Sequence, residues 1–183
     1  MVNPEMLWNE YEQINTEWEL NDLKKSVVKK EKQRKRSPEN DNKTLTEEQY
    51  YDLCNNKLFL SDNEMRQVIK YTKNQQLKLN VQYITDNQAK QLQKIKYLYL
   101  DWLKNIVSTQ VVDLCKNKET LSLTWVTEIT DYQAELFSNF QGTLNLWGLK
   151  HITDSQAKSL SKVKHLIVNK GILTSEQKEI LKK

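Results

Sequence analysis

The 183-residue chain contains only three glycines, two cysteines and two histidines, and these shortages exclude several kinds of site. With so few glycines there is no Gly-rich loop whose backbone N–H groups could cradle a phosphate. The chain also lacks the Gly-x-Ser-x-Gly, His-Glu-x-x-His and Cys-x-x-Cys motifs that mark common catalytic and metal-binding sites. We therefore expect no catalytic residue, no metal site and no cofactor, and predict that the protein is not an enzyme.

Long apolar runs and an apolar leader are missing as well. No stretch approaches the roughly 18 consecutive apolar residues that a membrane-spanning helix needs. The first residues, MVNPEMLWNEYEQ, contain three glutamates and no apolar core, which is unlike a secretory signal. We therefore expect a cytoplasmic protein without a membrane partner.

What the sequence does contain is a repeated unit of about 22 residues. Because an apolar-x-apolar pair has the period of a β-strand, both of its apolar side chains point to one side of a short strand, which we predict to be the core. Such pairs recur at spacings of 19, 21, 23, 23 and 22 residues: Leu58/Leu60, Leu77/Leu79, Leu98/Leu100, Leu121/Leu123, Leu144/Leu146 and Leu166/Val168. A sustained period of this length indicates stacked units that share one core.

A helix start follows the apolar pair in most units. In a capping box, a Ser or Thr hydroxyl accepts a hydrogen bond from a backbone N–H three residues later, where a Gln or Glu side chain reaches back. Six pairs fit this pattern: Thr46/Gln49, Ser61/Glu64, Thr85/Gln88, Thr130/Gln133, Thr153/Gln156 and Thr174/Gln177. We therefore predict that a helix begins directly after each of these hydroxyl residues.

The unit from Leu144 to Leu160 resembles a leucine-rich repeat of a short bacterial type, which reads Leu-x-Leu-x-Gly-Leu-x-x-Ile-Thr-Asp-x-Gln-Ala-x-x-Leu. The resemblance covers residues 45–183 and implies an α/β repeat solenoid. About six strand–helix units would form a parallel sheet, with the helices on the other face. The chain lacks the asparagine that usually closes the strand turn, and Gly148 is the only glycine at its position, where Trp102 and Trp125 stand in other units.

The two cysteines occupy equivalent positions, three units apart. Cys54 directly follows Leu53 and Cys115 directly follows Leu114, each the last leucine of a predicted helix. At about 4.8 Å per stacked strand, the two cysteines are separated by about 15 Å, too far for a disulfide. We expect both to be reduced and partly buried.

Residues 1–44 lack the repeat and divide by charge. Residues 1–22 contain six acids and no base, whereas residues 23–36 contain eight bases and one acid. We predict a charged helical segment over residues 1–36 and a linker over 37–44, followed by the repeat domain at 45–183. One helix face would contain Leu7, Tyr11, Ile14 and Trp18. The N-terminal segment either covers the open end of the array or binds a partner, and the sequence leaves both open; this apolar stripe is the candidate for binding.

Residues that alternate with the core leucines face outward from the predicted sheet and are our candidate binding residues. Strand parity places there Tyr97, Tyr99, Asp101, Asn145 and Trp147. Two further tryptophans, Trp102 and Trp125, follow their strands, where they either fold over the same face or pack into the core. Aromatic side chains often dominate the energy of protein interfaces. We therefore predict an adaptor or regulatory subunit that binds another protein through this face, the N-terminal helix or both.

The alternative is a nucleic-acid-binding accessory protein. The basic run at residues 29–36 would act as an electrostatic arm, and the aromatic residues would stack on bases. Two observations weaken this alternative. Residues 1–44 contain nine bases and nine acids, and Lys78 is the only lysine or arginine at the outward strand positions. The sequence does not identify the partner.

Overall fold

The structure is a computed structural model that describes residues 45–72, 76–116 and 118–182. These residues belong to one compact unit. The predicted helical segment at 1–36 and the linker at 37–44 lie outside the described residues. The apolar stripe of Leu7, Tyr11, Ile14 and Trp18 therefore also lies outside them.

Helices and strands alternate along most of the described chain. Two helices come first, α1 (Glu47–Asn55) and α2 (Asp62–Tyr71). The elements that follow are β1 (Gln76–Lys78), α3 (Asp86–Leu92), β2 (Tyr97–Tyr99), α4 (Ser108–Leu114), β3 (Thr120–Ser122), α5 (Asp131–Phe137), β4 (Thr143–Asn145), α6 (Asp154–Leu160), β5 (His165–Ile167), a 3₁₀ turn (Lys170–Ile172) and α7 (Ser175–Ile180). The five strands form one parallel sheet in the order β1-β2-β3-β4-β5. The fold is therefore an α/β arrangement in which each strand pairs with the next strand along the chain.

The prediction of about six strands is wrong by one, because the segment from Leu58 to Leu60 forms no strand. Ser61 caps helix α2 directly after Leu60, so no residues remain for the turn that separates strand from helix in the other units. Leu60 is buried, but Leu58 is 44% exposed. The backbone of this segment still bonds to the unit that contains β1, since the Leu58 carbonyl accepts a hydrogen bond from the Gln82 N–H at 2.9 Å.

The predicted core is confirmed in strands β1 to β4. Both members of each apolar pair in these four units are at most 1% exposed. Burying a leucine side chain stabilises the fold by about 2 kcal/mol, and neighbouring units share this core. In the β5 unit, Leu166 is only half-buried and Val168 is 9% exposed. Burial is therefore less complete at this end of the sheet.

All six predicted capping boxes are present, and each helix begins where its hydroxyl residue predicts. Helix α4 is the exception in sequence, because Val107 stands at its N-cap and has no side-chain oxygen. There only half of the motif remains, in which the Gln110 side chain accepts a hydrogen bond from the Val107 N–H at 3.2 Å. A capping hydroxyl contributes about 1 kcal/mol, so α4 begins with a weaker cap.

Five of the capping glutamines make a second hydrogen bond, which the capping pattern does not predict. While Oε1 accepts from the cap N–H of its own unit, Nε2 donates to a backbone carbonyl of the preceding unit. The donor–acceptor pairs are Gln88 to Leu60 (2.6 Å), Gln110 to Ile84 (2.9 Å), Gln133 to Ile106 (2.6 Å), Gln156 to Ile129 (2.8 Å) and Gln177 to Ile152 (2.9 Å). These glutamines are at most 7% exposed, so a column of buried amides joins successive units.

Helix α2 has Glu64 in place of this glutamine. A carboxylate has no N–H to donate, and Glu64 instead accepts a hydrogen bond from Lys57 Nζ at 2.6 Å and another from the Ser61 N–H at 2.7 Å. Burial alone would raise the pKa of Glu64, but the hydrogen bonds from Lys57 and Ser61 outweigh burial and hold the pKa below its ordinary value. The carboxylate therefore stays charged and stabilises the start of α2.

Lys118 is a buried cation at a position that is apolar in two other units. Ile95 and Val163 stand at the same position, two residues before their strands, and are at most 1% exposed. Lys118 is 7% exposed and donates to the Leu92 carbonyl at 2.6 Å. Burial lowers the pKa of Lys118 to about 8.

Both cysteines are free, as predicted, with Cys54 buried and Cys115 partly buried. Burial raises the pKa of Cys54 to about 11 and that of Cys115 to about 12. Thiolates are the reactive form of cysteine, so at neutral pH both side chains act as packing residues.

Replacing Gln133 by glutamate tests the amide column. The carboxylate keeps the acceptor for the cap N–H of Thr130 but loses the donor to the Ile106 carbonyl, so we expect a loss of about 2 kcal/mol in the free energy of unfolding. The matched control is Gln49→Glu in α1, where the glutamine is exposed and makes only the cap hydrogen bond among the described residues. Urea denaturation of both variants makes the comparison, and equal losses would contradict the second role of Gln133.

Replacing Lys118 by methionine should stabilise the protein at pH 7 by about 2 kcal/mol, because the buried charge disappears. The Leu92 carbonyl keeps its hydrogen bond from the Ile95 N–H at 3.1 Å. Between a folded pKa of about 8 and an ordinary value of 10.5, the unfolded chain binds more protons at Lys118 than the folded chain. Wild-type stability relative to the variant should therefore rise with pH across this window. Urea denaturation from pH 6.5 to 10 measures the difference, and a difference that does not shrink with pH would disprove the buried-charge interpretation.

Candidate functional site

The strand register arranges the outward-facing residues in columns across the sheet. One column joins Gln76, Tyr97, Thr120, Thr143 and His165, and a second column joins Lys78, Tyr99, Ser122, Asn145 and Ile167. Both columns agree with those expected from strand parity. Three of the predicted site residues, Tyr97, Tyr99 and Asn145, therefore lie on the face of the sheet opposite the core leucines, and all three are partly exposed.

The sequence left the position of Trp102 and Trp125 open, and the structure places both on the surface. They are 38% and 49% exposed, and their rings stack with centroids 5.0 Å apart and an angle of 6° between their planes. The two rings lie outside the core because the next residue in each unit fills it. These residues are Leu103 and Val126, both 0% exposed. The two rings form a tryptophan pair that joins the turns after β2 and β3.

A third ring cannot extend the tryptophan pair, because Gly148 stands at the equivalent position after β4. A Cβ atom there would lie 2.0 Å from the Thr124 carbonyl oxygen, well inside van der Waals contact. Only glycine tolerates this approach between the two turns. The residue before it, Trp147, is instead 55% exposed. Three exposed tryptophans therefore stand in adjacent units, on the turns that follow β2, β3 and β4.

A chain of hydrogen bonds runs beside these tryptophans. Asp101 Oδ1 accepts from the Ser122 hydroxyl and, at 3.1 Å, from the Thr124 hydroxyl. Asn145 Nδ2 donates to Ser122 Oγ at 3.2 Å, and Asn145 Oδ1 accepts from the Trp147 N–H at 3.1 Å. These bonds link three successive units and fix the backbone of Trp147, so the surface is rigid next to its largest side chains.

Ser122 is buried at 3% exposure although strand parity directs it outward. Its hydroxyl lies between the longer side chains of Asp101 and Asn145, which bond to it and cover it. Ser122 and Thr124 were not among the predicted site residues. The signal that could have identified them is their position one unit along from Asp101, where short hydroxyl side chains can meet its carboxylate.

Tyr97, at the other end of strand β2, forms a second polar group with Glu119. The Tyr97 hydroxyl donates to Glu119 Oε2, and Lys96 Nζ lies 3.4 Å from Glu119 Oε1. The hydrogen bond raises the pKa of Tyr97, and the same bond lowers the pKa of Glu119. The negative charge of Glu119 is thus balanced by a neighbouring lysine.

Within residues 45–72, 76–116 and 118–182, no three or more His, Cys, Asp and Glu side chains are grouped so that they could hold a metal ion. None of the helices described in this region is both long enough and apolar enough to cross a membrane.

Comparisons of the chain with protein-family models, with curated proteins and with solved structures found no match. Any inference about function therefore depends on the surface described above.

A double-mutant cycle tests the stacking of the tryptophan pair. We expect the free energies of unfolding of Trp102→Leu, Trp125→Leu and the double variant to give a coupling of about 1 kcal/mol, the usual value for an aromatic pair. The control cycle combines Trp102→Leu with Trp147→Leu, which lie two units apart and should be additive. Equal coupling in the two cycles would show that direct ring stacking is not the source of the coupling between Trp102 and Trp125.

Proposed function

We propose that this protein is a non-enzymatic interaction scaffold, built as a leucine-rich-repeat-like solenoid, whose sheet face binds another protein. The observation that carries the proposal is the row of three tryptophans in adjacent units, exposed by 38%, 49% and 55%. Side chains of this size and exposure are uncommon on a surface that contacts only water, and tryptophan is enriched among residues that dominate binding energy.

The solenoid part of the proposal is supported by the way successive units join. Each strand from β1 to β4 pairs in parallel with the strand of the next unit, and buried glutamines donate to the unit before. A unit of about 22 residues cannot bury its apolar face alone, so stacking of this kind is the physical basis of repeat arrays. A regular array would place outward residues at fixed spacings, which suits an extended partner.

The binding surface is also held in place before any partner arrives. The rings of Trp102 and Trp125 stack on each other, and hydrogen bonds connect Asp101, Ser122, Asn145 and the backbone of Trp147. Ordering flexible side chains at an interface costs about 0.5–1.5 kcal/mol each. Because much of that ordering is already present in the free protein, more of the contact energy is available for affinity.

A cytoplasmic location remains a prediction, and the two free cysteines suit a reducing compartment. Nucleic-acid binding through the basic run at residues 29–36 also remains a prediction, as does partner binding by the stripe from Leu7 to Trp18. A salt titration against bulk DNA or RNA tests nucleic-acid binding, because phosphate binding weakens steeply with salt.

The test of the sheet face uses immobilised full-length protein to recover partners from the cells it comes from. We expect the double variant Trp125→Ser/Trp147→Ser to lose a partner that the wild type recovers, since each hot-spot tryptophan contributes about 2 kcal/mol, or roughly thirtyfold in affinity. The matched control is Tyr132→Ser in helix α5, an aromatic residue that is 59% exposed but belongs to a helix. Tyr132→Ser should leave the melting temperature unchanged, whereas the double variant should melt a few degrees lower because it loses the ring stack of Trp125 on Trp102. Circular dichroism at the assay temperature checks that the double variant is still folded.

Recovery of the same partner at full strength by the tryptophan double variant would refute binding through the sheet face. A loss with Tyr132→Ser as well would indicate general damage rather than a specific surface. If deletion of residues 1–36 alone removes the partner, the N-terminal segment is the binding site and the sheet acts as a spacer.

A further inference from the structure

We propose that the partner inserts an arginine side chain at the tryptophan pair, where its guanidinium pairs with the carboxylate of Asp101. This inference rests on the proposed function, since it specifies the chemistry of the group that binds the sheet face. It follows from the position of Asp101, from the absence of a basic partner for it among the described residues, and from the exposed aromatic rings on the same turns.

Asp101 belongs to the two turns that carry the tryptophan pair. Asp101 directly precedes Trp102, and Thr124 directly precedes Trp125. The Thr124 hydroxyl is 3.1 Å from Asp101 Oδ1 and 3.2 Å from the Asp101 carbonyl oxygen. The two residues that hold the rings are thus bonded to each other, and the carboxylate lies between their turns.

No cation neutralises this carboxylate within the described part of the chain. The four ion pairs found there join Lys57 to Glu64, Lys96 to Glu119, Lys116 to Asp113, and Lys182 to Glu179. Asp101 Oδ1 accepts hydrogen bonds only from hydroxyl groups, and Oδ2 accepts none from the described residues. A partly buried carboxylate therefore has one oxygen without a donor among the described residues, on the same turns as the exposed rings.

The guanidinium group of arginine fits both features at once. It is planar and cationic, so it stacks on an indole ring and donates parallel N–H groups to a carboxylate. A neutral flat side chain such as proline would cover the rings but leave the Asp101 charge desolvated and unpaired. A phosphate would be repelled by the same charge. A lysine ammonium pairs with a carboxylate but has no plane to stack on the ring.

The test titrates full-length protein with the synthetic peptide acetyl-Gly-Gly-Arg-Gly-Gly-amide and follows the indole N–H signals of Trp102 and Trp125 by NMR. The comparison peptide contains citrulline, which has the shape of arginine without its charge. We expect the arginine peptide to shift both indole signals and to bind about tenfold more tightly than the citrulline peptide, as a charge-assisted pair predicts.

The decisive variant is Asp101→Asn, in which the remaining oxygen can still accept from Ser122 and Thr124. We expect it to bind both peptides equally and to melt at the wild-type temperature. The matched control is Glu119→Gln, another carboxylate beside this face, which is already paired with Lys96 and should leave the preference for arginine intact.

The inference is overturned if the two peptides bind the wild type equally, if neither shifts the indole signals up to the solubility limit, or if Asp101→Asn keeps the preference. None of these outcomes refutes the proposed function, which is refuted only if the Trp125→Ser/Trp147→Ser variant recovers the partner at full strength. Conversely, recovery of the partner by that variant refutes the proposed function, and a preference of the wild type for the arginine peptide would still stand as evidence for the guanidinium site.

Discussion

The fold depends on how each unit satisfies the backbone groups that its short strand leaves unpaired. Strands of three residues provide few ladder hydrogen bonds, and the turns between strand and helix leave buried carbonyl groups that need donors. The glutamine at the third position of a helix meets both needs, since Gln156 accepts from the cap N–H of Thr153 and donates to the Ile129 carbonyl of the unit before. One side chain thereby fixes the start of its helix and the distance to its neighbour. The regular columns of the sheet face follow from that spacing.

Most of the repeating region could be predicted because its signals are local and periodic. The apolar pairs identify the strands, and the hydroxyl-to-glutamine spacing identifies where each helix begins. The failure at Leu58 has a different cause. Whether a segment becomes a strand depends on the residues available before the next helix, and Ser61 begins α2 too early for a turn. The capping pattern also could not predict the hydrogen bonds from buried glutamines to the preceding unit, because these bonds join residues 25 to 28 positions apart.

The candidate surface was predictable only where strand parity applies. Parity correctly placed Tyr97, Tyr99 and Asn145 on the sheet face. It could not decide the side of Trp102 and Trp125, because they lie in turns, where side chains no longer alternate. They are exposed because the following residues, Leu103 and Val126, occupy the core instead. Burial of Ser122 depends on side-chain lengths in two neighbouring units, which no single repeat reveals.

Under the proposed function, binding at the tryptophan pair would also be linked to the stability of the stacked units. Trp102 and Trp125 belong to different units, so a ligand that contacts both rings binds only when those units keep their native spacing. Such a ligand favours the stacked state over any state in which the two units separate, and it stabilises that state in proportion to the logarithm of its concentration above the dissociation constant. Because neighbouring units share one core, that stabilisation extends to the units on either side. A scaffold of this kind would therefore be more rigid when its partner is bound, although the contacts involve only a few residues.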